Sequence, residues 1–138
     1  MHGTPEPDYL FTESVKRGRG VRLVFADLHM HALCADATRA AAFWGGGWAA
    51  VAICLSLVLD SLDIADLRRW AAVDVRLVGG LIRVAHHDAV VTIAPLADNG
   101  SAIALAEEDA MDQLDRIRNA QIVEVACNGK RAAARRAR

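Results

Sequence analysis

From Ala40 to Leu59 the chain runs for twenty residues without a charged side chain, AAAFWGGGWAAVAICLSLVL. A stretch of this kind needs burial, in a protein core or in a bilayer. It is long enough to span a membrane. Its composition argues against spanning: Gly45-Gly46-Gly47 interrupts it, and about half of it is Ala or Gly. The portion after the glycines, WAAVAICLSLVL, has only the length of a buried core element, and the expectation is a core segment of a cytoplasmic protein. The cysteines agree with that location. Cys34, Cys54 and Cys127 are odd in number, widely spaced and form no CxxC pair, so free thiols in a reducing compartment are expected. The N-terminal MHGTPEPDY is polar and Pro-containing, unlike a secretory leader.

The chain has 138 residues, the length of a single domain with a real core. Apolar residues make up 54% and charged residues 24%, the balance of an ordinary globular protein. With a formal net charge of −1, no global electrostatic drive toward nucleic acid or anionic membrane follows. The basic residues are Arg except for Lys16 and Lys130, which reads as coding bias.

Along the chain, residues 1–20 read as a lead-in and 21–138 as one α/β domain. VRLVFA (21–26) reads as a buried strand. DATRAAAFW is helix-compatible, with Asp36 or Thr38 as N-cap, and the three glycines should stop it. WAAVAICL (48–55) reads as a second buried strand. DSLDIADLRRWAA (60–72) reads as an amphipathic helix capped by Asp60 or Ser61. VDVRLV (73–78) reads as a third strand. Two alternating runs around His86-His87-Asp88 give a hairpin signal. SAIALAEEDAMDQLDRIRN reads as a helix, AQIVEVAC (120–127) as a strand closed by Asn128-Gly129, and the Arg-rich KRAAARRAR as a final helix. Strands alternating with helices predict an α/β fold with a mainly parallel sheet.

Ligands of open α/β sheets bind at the carboxyl ends of strands, where Asp27-Leu28-His29-Met30-His31 falls. A strand end projects alternate residues to one side, so His29 and His31 are expected to point the same way, with Asp36 returning as a carboxylate ligand. Cys34 would complete a His2-Cys-Asp zinc site, Asp27 is a further donor, and His86 or His87 could add a ligand or a general acid. Each has a plainer reading beside it. The HxH also suits a polar loop, Cys34 a small buried thiol, and His86-His87-Asp88 a solvated turn. Glu107, Glu108, Asp109, Asp112 and Asp115 suit an exposed helix face, and the terminal arginines a solvated helix end. Trp44 and Trp48 read as core or interface.

DLHMHALCADAT resembles the first motif of the polymerase and histidinol phosphatase (PHP) family, D-L-H-x-H followed by S-D-G-T, with Ala35 and Ala37 replacing the Ser and Gly. GWAAVAICLS is similar to the family's second strand, with Ser56 at the position of a metal-binding His. In VDVRLVGGLI, Leu81 stands at the position of a bridging Glu. IVEVACNGKRAAARRAR is similar to a late IEVYNGR strand, and no Gly-Ser-Asp-x-His segment follows. The resemblance covers residues 21–138, with only its first motif specific. It implies an incomplete PHP-type β/α barrel and a degenerate metal-dependent phosphoesterase. His29, His31 and Asp36 would hold Zn or Mn, which activates water for attack on a phosphate-containing small molecule. An incomplete barrel leaves sheet edges that need a protein partner, so a homo-oligomer is expected.

The alternative is a non-catalytic homo-oligomeric binding or scaffolding module. One form of it, a small α/β interaction domain of the roadblock kind, would carry an unbroken helix over residues 40–59.

Overall fold

The computed structural model describes residues 21–26, 28–103, 113–114 and 117–133. Strand β1 (Arg22–Phe25) is followed by helices α1 (Leu28–Ala35) and α2 (Ala37–Trp44), a 3-10 turn over Gly45–Gly47, and helix α3 (Trp48–Asp60). A single helical turn, Ile64–Leu67, leads to strands β2 (Asp74–Val78), β3 (Leu81–His86) and β4 (Ala89–Leu96). Then come β5 (Asn119–Cys127) and β6 (Lys130–Ala133). The sheet order is β1-β5-β4-β3-β2. β1 lies along the first half of β5, parallel to it, and β6 lies along the second half of the same edge.

The fold is mixed α/β, but its sheet is open and mostly antiparallel, not the mainly parallel, barrel-like sheet expected from the sequence. Among the described residues only β1 and β5 pair in parallel. The reason lies in the loops. β2–β3, β3–β4 and β5–β6 are joined by two-residue turns, Gly79-Gly80, His87-Asp88 and Asn128-Gly129. Connections this short join only antiparallel neighbours. At Gly79-Gly80 (φ 59° and 82°) both turn residues have positive φ, as a type I′ hairpin requires.

The segment 48–55 is helical, not the expected strand. Its buried residues Val51, Cys54, Leu55 and Val58 recur at i, i+3, i+4 and i+7, the spacing of one helix face. Burying Val51, Leu55 and Val58 contributes about 1.5–3 kcal/mol each, well above the few tenths that a β-branched residue costs in a helix. α3 packs across β3, β4 and β5. There it meets Ile82, Val84, Val91, Ile93, Ile122 and Val125, all fully buried. The register places these side chains on one sheet face: Ile82 opposite Ile93, Val84 opposite Val91, and Ile93 opposite Ile122. A bulge makes Val123 the extra residue of β5.

Asp36 caps α2, accepting from the backbone N–H groups of Thr38 and Arg39 at 2.9 and 3.3 Å. Gly45, at φ 63°, ends that helix as expected. The same break divides residues 40–59 between α2, the 3-10 turn and α3. By length and composition the helical stretch Ala37–Asp60 could cross a membrane, and one face of α3 lies on the sheet.

Two further expectations are corrected. Residues 60–72 form one helical turn capped by Asp63, whose carboxylate accepts from the Asp66 N–H at 2.8 Å, in place of a full amphipathic helix. Lys130–Ala133 is a strand, drawn back along β5 by the Asn128-Gly129 turn, where a helix was expected. The lead-in, most of the helix expected after Ser101, and residues 134–138 lie outside the described residues.

Candidate functional site

β1 ends at Phe25, and His29 and His31 sit on α1, not on a strand end. In a helix, residues two apart are turned about 200° from each other, so the two imidazoles diverge. His29 is exposed, and His31 is half-buried with its ring centroid 5.1 Å from that of Phe25. The Asp36 carboxylate is engaged by the start of α2 and lies 3.7 Å from the Arg39 guanidinium. Cys34 is buried, and burial pushes its thiol up to about 12, away from the thiolate that a metal takes. Asp27 lies outside the described residues. Among the described residues no three His, Cys, Asp or Glu side chains are grouped to hold a metal ion. The residues that the PHP resemblance assigns to Zn or Mn therefore do not fit one ion as arranged. Ser56 is exposed on α3 and Leu81 half-buried on β3, so neither supplies a ligand.

The hairpin histidines lie elsewhere. His86 and His87 stand at the β3–β4 turn with ring centroids 4.4 Å apart. His86 Nδ1 donates to the Ala72 carbonyl at 2.8 Å. With Asp88 they border a cavity of about 440 Å³ whose other walls include Gly47, Cys127 and Asn128. None of His29, His31 or Asp36 reaches it. The fold builds this corner by bringing the glycine turn onto the β5–β6 turn. Trp44 Nε1 donates to the Lys130 carbonyl at 3.1 Å, and the Trp44 and Trp48 rings stack at 5.9 Å. A Cβ at Gly47 would lie 2.5 Å from Cys127 Sγ and from Asn128 Nδ2, so a larger residue here would require those side chains to shift. The Cys127 thiol is raised by burial and, secondarily, by the Asp88 carboxylate, both of which work against the thiolate form. The Cys127-Asn128 contribution was not anticipated, although the Asn-Gly dipeptide marks its hairpin.

The other distinctive feature is the outer strand. Among the described residues β2 pairs with β3 alone, so its far edge carries unpaired backbone groups. Val75 and Leu77 point toward the core side and are half-buried, while Asp74, Arg76 and Val78 lie on the opposite, open face. Asp74 and Arg76 form an ion pair at 2.6 Å. Arg76 stands directly opposite Arg83 of β3, and among the described residues no carboxylate pairs with Arg83. Sequence reading located this strand but not its position at the sheet edge.

No family model matches the chain, and no curated protein or solved structure is significantly similar to it.

Proposed function

We propose that this chain is a non-catalytic interaction module that assembles with a second copy of itself. The observation that carries this reading is the outer strand β2, whose far edge has no partner among the described residues. An open edge is a template for pairing with another chain. Apolar side chains exposed around it add contact area: Val78 is 47% exposed, and Trp70, on the segment entering β2, is 42% exposed. A phosphoesterase centred on His29, His31 and Asp36 has less support, because those side chains do not converge. The test is the solution mass of the full chain by light scattering over a range of concentrations, beside its Zn and Mn content. The proposal expects a species of twice 14.8 kDa and no stoichiometric metal. A monomer at every concentration, or bound metal that a His29→Ala/His31→Ala variant loses, would overturn it.

A further inference from the structure

The charge order along β2 specifies how two copies would meet. Antiparallel edge pairing across a two-fold axis perpendicular to the sheet keeps equivalent faces on the same side, and it must be centred on one residue facing its own copy. The strand offers few such centres. Centring on Asp74 sets Asp74 against Asp74, and centring on Arg76 sets Arg76 against Arg76, like charges in direct opposition. Centring on Leu77 sets Arg76 against Val78. Centring on Val75 alone sets Asp74 against Arg76 of the second copy, and by symmetry Arg76 against Asp74. The same register places Val73 opposite Leu77 and Val75 opposite Val75, an apolar row on the core side.

Resting on the reading of the chain as a self-associating module, we infer that β2 pairs antiparallel with β2 of a second copy in the register centred on Val75, joining the two sheets into one.

Two observations on this edge support the second copy as occupant. The strand is charge-complementary to itself in one register and no other. In addition, Arg76 and Arg83 stand directly opposite each other, and among the described residues Asp74 supplies the one carboxylate paired with either. Like charges in opposition are unfavourable, and the register centred on Val75 brings a second Asp74 against Arg76. Val78 of one copy is carried at the same time opposite Ala72 of the other.

The experiment compares the full chain with Asp74→Arg, Arg76→Asp and the double swap Asp74→Arg/Arg76→Asp by sedimentation, with circular dichroism to verify folding. Each single reversal is expected to weaken dimerisation by about tenfold or more, and the double swap to restore it. Val75→Cys is expected to crosslink two copies on oxidation, while Val73→Cys, which faces Leu77, is not. If the chain is dimeric but single reversals leave it unchanged and Val75→Cys does not crosslink, this register is wrong while self-association stands. If the chain is monomeric, both fail.

Discussion

Helix α1 and strand β2 make an instructive pair. α1 carries the stretch of sequence that most looks like a site, and its side chains point apart. β2 carries no motif, yet it ends the sheet with an edge that is unpaired among the described residues and with an ordered set of charges. The difference is one of geometry. A motif written as HxH gathers ligands when its backbone is extended and scatters them when it is helical. An edge strand draws its significance from its place in the sheet, which no local pattern expresses.

Ile82, fully buried on β3 next to the edge, holds the outer hairpin to the core. Ile82→Ala should destabilise the fold by about 2–5 kcal/mol, read by denaturant unfolding, and should loosen self-association with it. A small effect would mean that β2 and β3 are not anchored as described.

The thiols come next. Burial raises Cys34 to about 12 and Cys54 to about 12, in the second case offset in part by a backbone contact at Val91. A folded-state value above the unfolded value means that the folded state holds its proton more tightly. Stability is then complete below about pH 9 and falls between roughly 9 and 12, on the order of 1 kcal/mol per thiol for each pH unit. Unfolding curves across that range should show the fall, and a Cys34→Ala/Cys54→Ala variant should flatten it. A Cys34 that reacts with a thiol reagent at neutral pH in the folded protein would reopen its case as a ligand.

Asp36→Ala should cost about 0.5–2 kcal/mol through the lost cap of α2, with no change in Zn affinity. A loss of Zn binding without a loss of stability would reverse the assignment. The smallest effect belongs to His29→Ala. His29 is exposed, and its removal should shift stability by less than about 0.5 kcal/mol.

Much of the fold was legible in the sequence. β1, the cap at Asp36, the stop at Gly45, the β3–β4 hairpin and the strand closed by Asn128-Gly129 all appear where they were read. α3 was misread because Ile53, Leu57 and Leu59 make it apolar on nearly every side, which hides the spacing of Val51, Cys54, Leu55 and Val58. The antiparallel sheet was missed although Gly79-Gly80 is a hairpin signal between two alternating runs. With that turn recognised, β2 becomes the outer strand of a meander, and the expectation of a parallel barrel falls away. The candidate site fared worse. His29, His31 and Asp36 were placed by assuming that strand geometry continued past Phe25, and a helix beginning at Leu28 removes the basis for it.

Amide hydrogen exchange on the full chain tests both regions at once. Raising protein concentration is expected to slow exchange across residues 73–77, and adding Zn²⁺ to leave residues 28–36 unchanged. Protection of 28–36 by Zn²⁺, with exchange in β2 indifferent to concentration, would contradict both expectations.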